Sequence, residues 1–171
     1  MKLLKTIYET DIGLKDKKLD IDYKSRKATR VVVFNEKNEI ALIYLAKEDF
    51  YKLPGGGIDD EEDAIDALKR EVLEELGITV ANIKKIGQIL SYRNEIQTIQ
   101  TDFCFTARFS KQVQDPEYTD FEKQFDFQTK WVKIDEAFKL FQTHKAKDYF
   151  GKFFNVRDRT LIEKVKDIID K

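Results

Sequence analysis

Three successive glycines, Gly55 to Gly57, lead into five consecutive acids, Asp59 to Asp63, and then into an amphipathic helical pattern that ends at Gly77. No other stretch constrains the chain as much, because it demands a tight strand-to-helix turn followed by a helix with one buried face. At 100° per residue, Ile65, Leu68, Val72, Leu73 and Leu76 fall on one stripe about 140° wide, suited to a core. Glu71, Glu74 and Glu75 occupy the adjoining arc of roughly 100°, on the shoulder of that buried face. Like charges one turn apart cost a helix about 0.2–0.5 kcal/mol per pair, and partial desolvation adds to this. A bound cation reverses the sign of the effect. Oxygen-rich, carboxylate-dense sites suit hard divalent ions, Mg²⁺ foremost and Mn²⁺ next. The plain alternative is a solvated acidic face. The position beside an apolar stripe and behind a glycine loop favours a site. The acids from Asp59 to Asp63 read differently, as a complement to the helix macrodipole.

In this stretch Gly56, Glu62, Arg70-Glu71-Val72, Glu74-Glu75 and Gly77-Ile78 have the spacing of a known signature, and the chain resembles the Nudix hydrolase family. Seven identities and two aliphatic positions match by chance on the order of once in 10⁹ to 10¹⁰ windows. The box covers residues 56 to 78, and the likeness extends more loosely over 28 to 140. The resemblance implies hydrolysis of a diphosphate linking a nucleoside to another moiety, with Mg²⁺ or Mn²⁺. It implies that Glu71, Glu74 and Glu75 are metal ligands and catalytic residues, that the Gly55 carbonyl is a backbone ligand, and that Glu62 and Arg70 orient helix and loop around Gly56. One departure stands out: members often carry Gly where this chain has Glu61, which bears on the turn of the loop.

Composition narrows the alternatives. The 171 residues suffice for one domain with a sizeable core, taken as 1–171 with 1–27 as an N-terminal strand and loop extension. With 31 basic and 32 acidic residues, no broad basic field is available to hold a nucleic-acid polymer non-specifically. A small nucleotide substrate remains compatible. No apolar run reaches transmembrane length. A single cysteine, Cys104, and no hydrophobic leader predict a cytoplasmic protein. His144 is the only histidine, which argues against His-based zinc sites and Ser-His-Asp triads. Cys104 alternates with aromatics and reads as a small core residue. The glycines are not followed by Lys-Ser or Lys-Thr, which excludes a P-loop.

In chain order, Thr29 to Phe34 reads as a buried strand and Glu39 to Leu45 as its hairpin partner. Phe50 to Leu53 is a short strand into the loop. Ile78 to Val80 is followed by an antiparallel pair, Ile83 to Tyr92 and Thr101 to Phe109, joined around Asn94 to Thr98. Lys111 to Gln128 reads as a long loop, and Lys130 to Ile134 as a strand. Asp135 is expected to cap a helix through Phe141, and Arg159 to Ile169 to form an amphipathic helix. The fold class is α/β: an α/β/α sandwich on a mixed central sheet, the fold that the resemblance also implies.

For the reaction, Glu71 or Glu74 is the candidate base, with Glu122, Glu117 or Glu95 as a base from a later loop. Arg30 and Arg93 are candidate phosphate donors. Tyr51, Tyr92 and Phe50 are candidates to stack on a nucleobase. Substrate marks are weak. Neither Pro54 nor Pro116 meets the spacing of ADP-ribose pyrophosphatases, and Tyr92 falls short of that of dinucleoside polyphosphate hydrolases. A nucleoside triphosphate stays open by elimination. Two other functions compete: a catalytically silent nucleotide-binding or regulatory domain on the same fold, and a protein-interaction domain using residues 118 to 131. Relatives are often dimers, so a homodimer stays open.

Overall fold

The computed structural model describes residues 1–15, 20–144 and 146–169, without the side chains of 121 and 122. The strands are β1 (Leu3–Ile7), β2 (Lys24–Phe34), β3 (Glu39–Leu45), β4 (Phe50–Lys52), β5 (Ile78–Arg93), β6 (Thr98–Gln112) and β7 (Phe127–Lys133). The helices are α1 (Ala64–Leu76), α2 (Asp120–Gln124), α3 (Ile134–Thr143) and α4 (Tyr149–Ile169). One sheet runs β1-β5-β6-β2-β3-β4, with β7 also pairing β3. β1 with β5 and β2 with β6 are parallel, while β5 with β6 and β3 with both β4 and β7 are antiparallel.

The expected mixed sheet between helical layers is present. Strand alternation explains how it is filled. Val31 and Val33 pack with Leu68, Val72 and Leu76 of α1, whereas Val32 and Phe34 pack with Phe141, Phe153 and Leu161 of α3 and α4. β2 is buried on both faces from Ala28 onwards, which is why its apolar run is continuous rather than alternating. Among the described residues, no helix is long and apolar enough to cross a membrane.

Several boundaries differ from expectation. β2 starts at Lys24, because its polar first residues pair in register with β6 from Thr98 onwards and need no apolar side chain to do so. The gap expected between Val80 and Ile83 is a distortion within continuous β5, where Asn82 adopts a left-handed φ of 52°. The long loop from Lys111 to Gln128 is shorter than expected, since β6 runs to Gln112, α2 occupies Asp120–Gln124, and β7 starts at Phe127. Asp135 is not a cap. α3 starts at Ile134, and Asp135 lies in its first turn, ion-paired with Lys166. α4 begins at Tyr149, ten residues before the expected Arg159. Its first half buries Arg157 and Asp158, and charged residues on a buried face hide the helical apolar period.

Candidate active site

The loop and α1 are shaped by local chemistry. Asp63 has extended backbone and accepts bonds from the amides of Ile65 (2.7 Å) and Asp66 (3.0 Å), so it caps α1. Gly77, at φ 68°, closes the helix with its amide on the Leu73 carbonyl. Of the five acids, Asp63 thus serves the helix terminus directly, and Glu62 is used elsewhere. Glu61 adopts a left-handed φ of 70°. The departure noted in the sequence therefore falls at a position where glycine is favoured.

Arg70 joins helix to loop. Its Nε and Nη2 give a bidentate pair to Glu62 at 3.0 and 2.9 Å, and Nη2 also donates to the Gly57 carbonyl at 3.0 Å. On its other side Nη1 meets Glu71 at 2.9 Å and Glu74 at 3.4 Å. The loop itself is stitched to β2: the Thr29 amide donates to the Gly56 carbonyl, and the Val31 amide to that of Pro54. Gly55, at φ 127°, leaves no room for a side chain, since a Cβ would lie 2.2 Å from the Thr29 carbonyl oxygen. At Gly56 a Cβ would lie 2.1 Å from a carboxylate oxygen of Glu71. The acid thus rests directly on the bare loop backbone.

The three glutamates differ in environment. Glu75 is 2% exposed and bonded to the Gly55 amide (2.7 Å) and the Lys52 ammonium (2.6 Å). The Glu71 carboxyl is pushed above its ordinary range, first by burial and then by the charge of Glu75, with Arg70 opposing. Glu74 is the most open, with 46% of its side chain exposed. Two cations, Lys52 and Arg70, are shared among these acids. Among the described residues, no group of three or more acidic, histidine or cysteine side chains is gathered into a ready-made metal cluster. The donor chemistry nonetheless fits a hard divalent ion. It is all oxygen, it includes a half-buried carboxylate destabilised by its neighbour, and it lies against a backbone with no side chain in the way.

A NUDIX domain family model matches residues 24–153. The chain belongs to the Nudix family. An RNA pyrophosphohydrolase of Bartonella quintana is 32% identical over 152 residues, covering 74% of this chain and 83% of the relative. A putative 8-oxo-dGTP diphosphatase of Bacillus subtilis is 42% identical over 57 residues, covering 33% of this chain and 38% of the relative. In fold, a Nudix hydrolase from Nitrosomonas europaea aligns with a TM-score of 0.59 at 18% identity, over 78% of this chain and 89% of that one. A MutT protein from Bacillus halodurans aligns at 0.54 and 23% identity, over 77% and 80%. The protein is a Nudix pyrophosphohydrolase, an enzyme acting on acid anhydrides, and Nudix enzymes generally use a divalent metal.

The other candidates scatter around the Nudix box. Tyr51 packs its ring against Tyr44 and His144. Tyr92 stacks on Tyr8 and meets Tyr23 edge-on, while Phe50 is core. Arg30 and Arg93 lie beneath α4, 6% and 1% exposed. Arg30 donates to its neighbour's carbonyl at Thr29. Glu95 is an exposed turn residue. Glu117 is closer to the box, for its amide donates to the Glu74 carbonyl at 2.7 Å. The Glu122 side chain lies outside the described residues. Sequence reasoning missed Lys52, the cation on Glu75. Its place two residues before Pro54 was the available signal. A cavity of about 840 Å³, lined by Ile83, Ile86, Val165 and Ile168 among others, has no box residue in its wall.

Proposed function

We propose that this Nudix enzyme hydrolyses a nucleoside diphosphate linked to another moiety, with Glu71, Glu74, Glu75 and the Gly55 carbonyl holding Mg²⁺ or Mn²⁺. The observation that carries the proposal is the pairing of one buried and one half-buried acid with the bare loop: Glu75 on the Gly55 amide and Glu71 on Gly56. A divalent ion bound there supplies charge neutralisation of the diphosphate and a more acidic water. The chain's own residues do the rest. Lys52 and the Gly55 amide fix Glu75, so its carboxylate does not swing into solvent. Arg70 holds α1 against Gly57 through Glu62, so the acids and the Gly55 carbonyl keep one geometry. Glu74, the most open carboxylate, takes the proton of the attacking water. Glu117, anchored beside it through the backbone, is the later-loop acid best placed to assist.

The substrate is a small nucleotide in this proposal. The RNA acted on by the Bartonella relative makes a 5′-phosphorylated RNA end the comparison to test. The domain is proposed to span 1–171, supported by β1 pairing β5 and by α4 packing under the same sheet. A cytoplasmic setting is supported by the buried free thiol of Cys104. A homodimer is left to solution measurement.

A panel of nucleoside diphosphate derivatives, nucleoside triphosphates and a 5′-triphosphorylated oligoribonucleotide, each with Mg²⁺, Mn²⁺ or chelator, tests this reading. Turnover should need the metal, and Glu74→Gln should lower it at least about a hundredfold in a folded protein. Near-normal turnover in folded Glu74→Gln overturns the assignment.

A further inference from the structure

On the α4 face of the sheet a chain of buried charge ends on the main chain around the glycine loop. Arg157 and Asp158 of α4, Asp102 of β6 and Arg30 of β2 are all buried. Asp158 Oδ1 accepts from Arg157 Nε at 2.6 Å, and Oδ2 from Nη2 at 3.1 Å. Arg157 Nη1 lies 3.5 Å from Asp102 Oδ1, and Arg30 Nε lies 3.6 Å from the same oxygen. Gln100 donates to both Asp102 oxygens, at 2.8 and 2.9 Å. Burying such a set is costly, and apolar side chains of the same volume are often at least as stable. What apolar side chains could not do is bond to the main chain.

Two main-chain atoms are held in this way. The pairing of β4 with β3 ends at Lys52, so the next amide, that of buried Leu53, needs an acceptor from elsewhere. Asp158 Oδ2, 105 residues away in the chain, accepts it at 2.9 Å. Arg30 Nη1 donates to the Thr29 carbonyl oxygen at 2.6 Å. That oxygen is the atom on which Gly55 rests, since a Cβ there would lie 2.2 Å from it. Arg30 also sits in β2 between the two residues whose amides hold the loop, Thr29 on the Gly56 carbonyl and Val31 on that of Pro54. Its charge is felt on both faces of the sheet. Burial and then Arg157 lower the Arg30 pKa, while Asp102, Asp158 and, from the α1 side, Glu75 oppose the drop.

We propose that Asp158 and Arg30 are positioning residues of the metal site: through the Leu53 amide and the Thr29 carbonyl they hold the Gly55 carbonyl where it serves as the backbone ligand. This rests on the function proposed above and assigns to the same site two buried residues from outside the box. Asp102 and Arg157 link the two, so that α4 and β2 set the loop together. Arg30 thereby supports the loop from behind instead of meeting a phosphate. Partners that orient a ligand without touching the metal change its affinity about 10–100-fold when removed.

The test reads metal binding without substrate, by the loss of the electron paramagnetic resonance signal of free Mn²⁺. Asp158→Leu fills the same space without an acceptor, and Arg30→Met leaves Asp102 to Arg157 and Gln100. Each should weaken Mn²⁺ binding at least about tenfold. The Leu53 amide proton should exchange faster in Asp158→Leu, measured by NMR. With Mg²⁺ and substrate, both variants should lower kcat more than they change KM. Val165→Ala is the control for lost stability alone. It removes packing under α4 in the wall of the cavity that no box residue lines, and should leave Mn²⁺ affinity within about twofold of the wild type. Wild-type Mn²⁺ affinity in folded Asp158→Leu or Arg30→Met overturns the role of that residue, and an equal loss in Val165→Ala overturns both roles. If Asp158→Leu fails to fold, Asp158→Asn, a weaker acceptor of the same shape, decides by the same criteria. A wild type that binds no Mn²⁺ overturns the metal site and this inference together. Failure of the hydrolase reading alone would appear as no turnover of the substrate panel by a wild type that binds Mn²⁺.

Discussion

The helical layers on the two faces of the sheet bury charge in different ways. On the α1 face the buried acid, Glu75, takes its partners, Lys52 and the Gly55 amide, from the strand and loop that lead into its own helix. On the α4 face Arg30, Arg93, Asp102, Arg157 and Asp158 come from β2, β5, β6 and α4, far apart in the chain. The first arrangement surrounds a site whose acids exceed their cations. The second sets three buried guanidiniums against Asp102 and Asp158, with buried Glu9 on Tyr149 at the start of α4. Both arrangements reach the same glycine loop, the α1 face through Gly55 and the α4 face through the Leu53 amide on Asp158.

Removing one member of the long-range network tests the contrast most severely. Asp158→Ala leaves the Leu53 amide unpaired in the core and takes from buried Arg157 its shorter ion pair, leaving Asp102 as its carboxylate. It should cost about 3–5 kcal/mol of unfolding free energy, measured by urea denaturation. A loss comparable to that of an exposed ion pair would show that α4 merely covers the sheet. Gly56→Ala probes the other layer. Its methyl group displaces the end of a flexible side chain, Glu71, so the fold should survive while kcat falls about a hundredfold. Retained kcat would mean that the resting place of Glu71 on the loop is unimportant.

Acid titration compares the layers through charge. The Arg70 fork is the main cause of the lowered pKa of Glu62, and the arginines hold Asp102 below its ordinary value against strong desolvation. A lowered folded-state pKa contributes stability above the unfolded value and loses it as pH falls through the folded one. Melting temperature should therefore drop as pH falls below the ordinary carboxylate range, 4.5 for glutamate. Glu62→Gln should flatten part of that drop, and an unchanged profile would remove Glu62 from the account. The smallest effect is expected at Glu61, whose left-handed backbone costs a residue with a side chain about 1 kcal/mol. Glu61→Gly should raise stability by about that amount or less in thermal melts. A loss would show that the Glu61 side chain outweighs the strain.

Much of the fold was legible because its causes are local. The spacing of Leu68, Val72 and Leu76 sets the buried face of α1, Asp63 and Gly77 bound it, and the continuous apolar run in β2 marks a strand covered on both sides. The first half of α4 was not legible, since Arg157 and Asp158 interrupt its apolar period on the buried face. Neither was the long first part of β2, whose polar residues are held by backbone pairing with β6 and by the Arg26–Gln100 bond across it. Lys52 was visible as a residue but not as the partner of Glu75, because a 23-residue separation carries no periodic signal.

By itself the sequence determined the box: the helix, its end at Gly77, the ordering of acids around one shoulder, and the membership that follows from them. Those depend on residues within a few turns of one another. The tertiary structure alone decided which charges are paired and which are left over. It seated Glu75 on Lys52, Asp102 between Arg30 and Arg157, and Arg93 over the rings of Phe153 and Phe154. Such pairings depend on which strands lie side by side and on burial, which turns an ordinary arginine into a donor in need of an acceptor.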